Sequence, residues 1–324
     1  MTGIVKILRS LGLLACWAWC ASLAQAQLTF TFDYTYDTGF FTGGNSSRQA
    51  YLTAAANYLT SFISATSLSA ITPSGGNTWT AQPFNPSNEA ASLSISNPTI
   101  PAQTIVVYVG GYDLPGSTLG IGGPGGWSAG GNPAWFDTLY YRGNGTNRMP
   151  GTGSITFDSL TSWYFDNDIT TVEAGAMAGK SDFFSVATHE LLHLLGFGTS
   201  ATWNNLVSAG SFIGGNSAAA NGGNVILSGD AGHWAGGTMS LIAGTATSQE
   251  TLMSPSLTVG TRKYLTTLDL MGLKDIGYTV SAVPEPSTYA LWCGLAAVGW
   301  CGWRRRVARR RVDSALPRPT GERG

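Results

Sequence analysis

The chain has 324 residues and a formal net charge of −1, but its charges are unevenly distributed. Ten of the seventeen Lys and Arg residues lie in the two end segments, which leaves seven basic against fifteen acidic side chains in residues 27–284. The net charge of this central region is therefore −8, which argues against nucleic acid and anionic membrane surfaces as its partners.

Residues 1–26 have the organisation of a secretory signal peptide. Lys6 and Arg9 stand near the start of an apolar run, and the small-x-small sequence Ala24-Gln25-Ala26 matches a signal-peptidase site. A membrane anchor is the less favoured alternative, because the run is short and a cleavage site follows it. We therefore expect an exported chain whose mature part begins near Gln27.

The mature region is expected to contain no disulfide. All four cysteines of the chain lie in its end segments, at Cys16, Cys20, Cys293 and Cys301. An exported domain of this kind must be stabilised by its core and by bound metal, and about 255 residues suffice for a sizeable core.

The first predicted elements are short and are joined by turns. Alternating aromatic residues predict a strand at 28–36, and apolar residues at helical spacing predict an amphipathic helix at 48–64. A β-branched run predicts a buried strand at 103–109. Residues 120–131 contain seven glycines, which predicts a loop. A phosphate-binding loop is disfavoured there, because neither Lys-Ser nor Lys-Thr follows.

The segment His189-Glu190-Leu191-Leu192-His193 carries the pattern H-E-x-x-H, which is typical of zinc sites. Residues four apart lie one above the other on the same face of a helix, so both imidazoles can reach a single ion. Glu190 is rotated by about 100° from His189 and can point at a metal-bound water. This pattern therefore predicts two metal ligands and a catalytic base.

The elements around this motif can also be predicted. A strand is expected at 153–157, shortly before the motif helix, which Ser181 or Asp182 would cap and Gly196 would end. The stretch from 197 to 228 is rich in small and polar residues and predicts a loop-rich excursion. Apolar residues at helical spacing predict a last helix at 265–276, ended by Gly277.

The third metal ligand is predicted to be His233, the only other histidine in the chain. A catalytic zinc usually takes three protein ligands and one water. No acidic residue occurs between Leu191 and Gly229, so the first candidates after the motif are Asp230 and His233. Neutral imidazole is the better zinc ligand, which favours His233. Two alternatives stay open: Asp230 is the ligand, or His233 is a loop histidine beside Trp234 that binds no metal.

These residues together resemble the metzincin zinc metalloproteases (EC 3.4.24). The pattern from His189 to Gly198 reads H-E-x-x-H-x-x-G-F-G. Most metzincins carry the third histidine three residues after the first glycine of this pattern, where this chain has Thr199, and the distant His233 resembles the leishmanolysin-like branch instead. Met253 stands where the family has its Met-turn, a methionine that forms an apolar floor beneath the metal; its simpler interpretation is an ordinary core methionine.

The resemblance covers residues 153–278 and implies an α+β fold. It implies a twisted mixed sheet, an active-site helix and a loop-rich C-terminal subdomain. We accordingly predict a peptidase domain at 27–282, with an N-terminal part at 27–150 and a catalytic core at 151–282. In the family the substrate lies as an extra strand against a sheet edge, for which 153–157 is the predicted candidate.

The resemblance leaves the oxyanion-stabilising group open. Some metzincins carry a tyrosine two residues after the methionine, and this chain has Pro255 at that position. Tyr264 or Tyr278 could replace it only if the fold brings one of them to the site.

A cluster of oxygen-bearing side chains precedes the motif helix, at Asp158, Asp166, Asn167 and Asp168. Such oxygens could bind Ca²⁺. Their spacing matches no complete calcium loop, so solvated turn residues are the favoured interpretation.

The C-terminal end has three parts in a fixed order. Val283-Pro284-Glu285-Pro286-Ser287 is followed by an apolar segment at 288–303 and then by two arginine clusters that would stay cytoplasmic. Residues 283–311 resemble the PEP-CTERM sorting signal of Gram-negative bacteria, which an exosortase reads. The resemblance implies transient anchoring in the inner membrane through this segment and delivery to the cell surface or exterior, with 312–324 as a further tail.

The sequence therefore predicts an exported zinc endopeptidase that acts on proteins or peptides. Its processing partners would be signal peptidase and an exosortase-type enzyme. The main alternative is an extracellular matrix or surface structural protein with a non-catalytic zinc site, and a zinc hydrolase that acts on other bonds is a third.

Overall fold

A computed structural model of the chain describes residues 27–64, 68–166 and 168–281. The predicted signal peptide, the predicted sorting signal with its segment 288–303, the tail 312–324 and Asn167 lie outside these residues. Among the described residues, no helix is long and apolar enough to cross a membrane.

The helices of the described residues are mostly short, and the two longest are α1 and α4. Numbered along the chain they are α1 (Arg48–Thr60), α2 (Pro133–Tyr141), α3 (Ala174–Met177), α4 (Phe183–Leu194), α5 (Ala201–Asn204), α6 (Gly215–Asn221) and α7 (Thr267–Asp275), with a 3₁₀ turn at Gly43–Asn45.

The strands of the same residues range from two to nine residues. They are β1 (Thr29–Asp33), β2 (Thr78–Gln82), β3 (Phe84–Asn85), β4 (Asn88–Ser92), β5 (Ile95–Ser96), β6 (Thr104–Tyr112), β7 (Gly120–Pro124), β8 (Gly126–Gly130), β9 (Thr152–Asp158), β10 (Trp163–Tyr164), β11 (Ser181–Asp182), β12 (Val207–Ser208), β13 (Ser211–Phe212), β14 (Val225–Ile226), β15 (Met239–Leu241) and β16 (Ser248–Glu250).

The largest sheet has four strands in the order β1-β6-β9-β7. β1, β6 and β9 are parallel, and β7 runs antiparallel to β9 at one edge. Smaller sheets join β5-β2-β8 and β12-β13-β14, and two-stranded pairs join β3 with β4, β10 with β11 and β15 with β16. The mixed α+β class predicted from the sequence is confirmed.

The main core lies between this sheet and the helices α1 and α4. Parallel strands with helices packed on them are rich in β-branched residues, and Ile105, Val107 and Val109 of β6 are fully buried. α4 contacts α1 on one side and β7 and β9 on the other. Each fully buried aliphatic side chain of this kind contributes about 1.5–3 kcal/mol. The motif helix is thus packed between α1 and the main sheet.

Two predictions about the sheet are wrong. The glycine-rich stretch 120–131 is not a loop but contains the whole of β7 and β8. The stretch 153–157 is a strand, as predicted, but β9 lies between β6 and β7 and is not an edge. Glycine has low strand propensity, so the sequence did not indicate β7, and the edge assigned to 153–157 from the family resemblance is occupied by this strand. The edge beside α4 is therefore β7.

The other predicted elements are present with shifted ends. The strand predicted at 28–36 ends at Asp33, and the helix predicted at 48–64 ends at Thr60. The helix predicted at 265–276 is α7, with Thr266 as its N-cap in a capping box. The predicted loop 197–228 contains α5, α6 and a three-stranded sheet. These short elements surround Trp203, a fully buried side chain.

Candidate metal centre

Helix α4 is capped at its first turn by a buried ion pair. The Asp182 carboxylate accepts hydrogen bonds from Ser185 N (3.2 Å) and Ser185 Oγ (2.6 Å), which confirms Asp182 as the N-cap. Arg262 donates to the same carboxylate from Nε (3.0 Å) and Nη2 (2.9 Å), and both side chains are almost completely buried. The start of the motif helix is therefore tied to a segment eighty residues further along the chain.

The other end of α4 stops in a Schellman turn. Gly196 has a positive φ of 105°, and the Phe197 N–H donates to Leu192 O over 3.1 Å. This turn aims the Phe197 carbonyl back at the helix, where it accepts from Nδ1 of His193 at 2.8 Å. The predicted glycine stop thus also orients one of the predicted ligands.

The structure brings all three histidines together through their Nε2 atoms. The Nε2 atom of His189 lies 3.1 Å from that of His193 and 3.1 Å from that of His233, and the His193–His233 distance is 2.9 Å. Neighbouring nitrogens around a tetrahedral ion with Zn–N bonds of 2.0–2.1 Å are roughly 3.3 Å apart. The three nitrogens therefore fit the coordination sphere of one small cation.

Each of these histidines has its other ring nitrogen engaged. Nδ1 of His189 contacts Leu252 O at 2.9 Å, and Nδ1 of His233 contacts the Asp230 carboxylate at 2.7 Å. A carbonyl oxygen only accepts, so Nδ1 of His189 and His193 carries the proton and Nε2 presents a lone pair. Three lone pairs that face one another at this distance have the chemistry of a metal site.

The protein holds two of the imidazoles in their neutral form. Burial, together with the neighbouring histidines, lowers the pKa of His189 well below its usual value. Burial and the neighbouring His233 ring lower the pKa of His193 to about 4. Neutral imidazole is the state that binds metal, so no proton has to be displaced from these two ligands near neutral pH.

The loop that carries His233 reaches α4 because two backbone segments approach closely. Gly198 has a φ of 70°, and a Cβ at this position would overlap the backbone of Gly232. Trp203 adds a hydrogen bond from its Nε1 to Ala231 O over 3.0 Å. Neither residue was assigned a role from the sequence, although Gly198 belongs to the quoted pattern.

Asp230, the alternative ligand, contacts His233 instead of joining the three nitrogens. Its carboxylate also accepts the N–H of Gly232 and the hydroxyl of Ser228. Burial raises the pKa of Asp230, but the bonds from Ser228, Gly232 and His233 outweigh it and lower this pKa to about 2. An ionised carboxylate on Nδ1 orients the ring and makes Nε2 a stronger base.

We predict that Asp230→Asn weakens zinc binding by about 10- to 100-fold, the usual loss when such a partner is removed. Competition with a chromophoric zinc chelator measures it. The matched control is Asp137→Asn, the same change at an exposed position in α2. Equal affinity in the two variants would contradict a role for Asp230 at the metal.

The Glu190 carboxyl lies in the same buried region. The side chain is on α4 between the two helical histidines, and the residue is 5% exposed. Burial raises the pKa of Glu190 to about 8, against the opposing effect of the Gly122 N–H. A carboxyl group with a pKa close to neutrality can both take up and release a proton.

Met253 is fully buried in a segment that links the histidines. Its backbone oxygen accepts from Trp234 N at 3.0 Å, next to His233, and the preceding Leu252 O holds His189. Asp269 on α7 accepts from the N–H groups of Leu252 (3.1 Å) and Met253 (3.2 Å) and from Trp234 Nε1 (3.0 Å). One buried carboxylate thus supports two ligand segments.

Asp269 was not assigned a role from the sequence. The capping pattern Thr266-x-x-Asp269 is the one signal that would have marked it.

The remaining predicted residues do not join the three nitrogens. The phenol of Tyr264 donates to Ile169 O at 2.9 Å, and that of Tyr278 donates to Leu195 O at 2.9 Å. Each of these hydroxyls is therefore committed to a backbone carbonyl, and neither supplies the missing oxyanion group.

The acidic residues considered for calcium are bound to protein groups. Asp158 accepts from Leu114 N, and Asp166 pairs with Arg262 at 3.1 Å. Among the described residues, the three histidines are the one group of at least three His, Cys, Asp or Glu side chains placed to share an ion.

Comparisons with known proteins do not assign the chain to a family, so any proposal about its function rests on the geometry of the site. No model of a protein family matches the chain, and no curated protein or solved structure matches it.

Proposed function

We propose that the protein is an exported zinc-dependent endopeptidase with a metzincin-like architecture of the leishmanolysin-like branch. The observation that carries this proposal is the convergence of the three Nε2 atoms, two of which come from the helix that also carries the buried Glu190. A purely structural zinc site has four protein ligands, whereas three ligands with a neighbouring carboxyl are typical of hydrolytic sites.

The arrangement of elements supports the metzincin-like part of the proposal. The motif helix packs on a mixed sheet whose edge strand is antiparallel, a glycine turn follows the motif, and a buried methionine lies in the segment that holds His189. These features occur in the order that the family requires, His193 before His233 before Met253.

The chemistry assigned to the chain rests on Glu190. Zn²⁺, held by His189, His193 and His233, supplies a Lewis acid that polarises a carbonyl group and makes water more acidic. The Glu190 carboxylate takes the proton of the attacking water and then gives it to the departing amine. Burial excludes bulk water from this carboxyl, which strengthens its interactions with the reacting groups.

The edge of β7 is the proposed place for a peptide substrate. The hydrogen bonds at the two ends of the β7–β9 pair show which positions are bonded. Asp158 N donates to Leu119 O, and Gly125 N donates to Thr152 O. Bonded and unbonded positions alternate along an antiparallel pair, so the N–H and C=O groups of Gly120 and Gly122 point away from β9. An extended peptide can pair with such an edge.

The test of the proposed function is metal content measured together with hydrolysis. The purified secreted protein is expected to hold one equivalent of zinc and to cleave casein, and a chelator should remove both properties. Added zinc should restore both. Zinc retained in full without hydrolysis of casein or of a peptide library would favour the matrix or surface structural protein, while hydrolysis of other bonds only would favour a different zinc hydrolase.

Export and sorting are proposed from the two end segments alone. Mass spectrometry of the secreted protein should find an N-terminus near Gln27 and a C-terminus upstream of residue 288. Full-length protein retained in the cytoplasm would contradict both assignments.

A further inference from the structure

The strand β7 carries glycine at both positions that face the Glu190 side of α4. Gly120 and Gly122 have no positive φ, so their backbone conformation alone does not require glycine. Glycine also weakens a strand, because it loses more conformational entropy than other residues and has no side chain to pack. The reason for the two glycines must therefore be sought in what packs against them.

What packs against them is the predicted catalytic base. A Cβ added to Gly120 would lie 3.0 Å from Glu190 Cγ and 3.1 Å from its Oε1, and also 3.0 Å from Val186 Cγ1. A Cβ added to Gly122 would lie 2.5 Å from the backbone oxygen of Glu190 and 2.9 Å from its Cβ. The Glu190 side chain thus rests on bare backbone, and a methyl group at Gly120 would require the carboxylate or Val186 to shift.

The contacts with Glu190 follow the alternation of the strand. The N–H of Gly122 points away from β9, because the bonded positions of this pair include Leu119 and Gly125. The next residue, Gly123, faces the opposite side of the sheet from Gly122, and a Cβ added to Gly123 meets nothing within 4 Å. Contact with Glu190 therefore alternates along the strand with the period of a β-strand.

We propose that Gly120 and Gly122 are positioning residues for Glu190, and that their missing side chains set the location of its carboxylate. This inference rests on the proposed peptidase function. Gly122 sets the distance between the strand and the backbone of α4, and Gly120 leaves the space that the carboxylate occupies. Misplacing a catalytic group by about 1 Å can cost about 100-fold in rate.

The deciding variant is Gly120→Ala, because its methyl group would meet side-chain atoms only. We expect kcat for peptide cleavage to fall by about 10- to 100-fold, with KM changed much less and zinc content unchanged. The control is Gly175→Ala, the same substitution in α3 and outside β7, which should keep kcat within about twofold because its methyl group has open space. Equal kcat in the two variants would overturn the inference.

A second set of variants separates Glu190 from the other neighbour of Gly120. In Gly120→Ala/Val186→Ala the contact with Val186 is relieved and the contact with Glu190 is retained. This double variant should stay impaired relative to Val186→Ala alone. Recovery of kcat would assign the effect to packing against Val186 and overturn the inference. The double variant also provides the comparison if Gly120→Ala alone does not fold.

A spectroscopic measurement keeps the inference separate from the proposed function. The ¹³Cδ resonance of Glu190 in ¹³C-glutamate-labelled, zinc-loaded protein should move in Gly120→Ala and stay in place in Gly175→Ala. If the wild type cleaves no peptide, the proposed function fails while this resonance still tests the positioning. An unmoved resonance in Gly120→Ala would overturn the inference even in an active protease.

Discussion

Replacing Glu190 with Gln is expected to leave zinc bound and to reduce peptide hydrolysis by about 10²- to 10⁴-fold, the usual contribution of a positioned acid–base group. The two side chains have nearly the same shape, so His189 and His193 keep their places on α4. The amide of Gln cannot take up the proton that the mechanism requires. Kinetics with a peptide substrate and zinc analysis of the same sample measure both properties.

Two comparisons make this result specific. Glu89→Gln is the same chemical change in the strand β4, outside the metal centre, and should leave hydrolysis unchanged. His193→Ala removes a ligand and should lose both zinc and activity. Full peptidase activity in pure Glu190→Gln would refute the assignment of the base, whereas full zinc binding by His193→Ala would refute the metal site.

Replacing Arg262 with Met is expected to lower the free energy of unfolding by about 3–5 kcal/mol, the cost of breaking a buried ion pair from one side. The guanidinium is 1% exposed and contacts Asp182, which is 0% exposed, and Asp166, which is 10% exposed. Its loss leaves the Asp182 charge buried at the first turn of α4 without its strongest partner. Urea denaturation monitored by circular dichroism measures the change.

The matched controls for this prediction are an exposed cation and a double variant. Lys274→Met on α7 removes a charge from an exposed position and should change stability by less than about 0.5 kcal/mol. Arg262→Met/Asp182→Asn removes both charges of this pair, and it should lose less than the sum of the single variants because Asp182 is no longer a buried charge without a partner. A loss below about 1 kcal/mol in Arg262→Met would contradict the buried-charge argument.

The motif helix could be predicted almost completely because its determinants are local. The interval between His189 and His193 is a property of the helix itself, and the cap at Asp182 and the stop at Gly196 each lie within a few residues of the bonds that they make. The prediction failed for β7, because glycine is not typical of strands. The glycines of this strand are explained by the proximity of Glu190, which the sequence does not reveal.

The supporting carboxylates were harder to recognise for a different reason. The sequence offered Asp230 as an alternative metal ligand. Its distance to Nδ1 of His233 shows instead that it binds the imidazole ring on the side away from the three Nε2 atoms. Asp269 resembled an ordinary first-turn acid, although it bonds to Leu252, Met253 and Trp234. Its partners lie sixteen to thirty-five residues away, so no local pattern contains them.

The sequence by itself determined the residue types of the candidate centre and the spacing of its helical part, since two histidines and one glutamate at helical intervals, with one further histidine, suffice to propose their chemistry. Only the tertiary structure decided that His233 reaches the pair on α4 across forty residues, and which edge strand lies beside Glu190. The physical reason is the separation of the interacting residues along the chain. Helical periodicity and caps act within one or two turns. The close backbone approach at Gly198 and Gly122, in contrast, depends on segments that meet only in the folded chain.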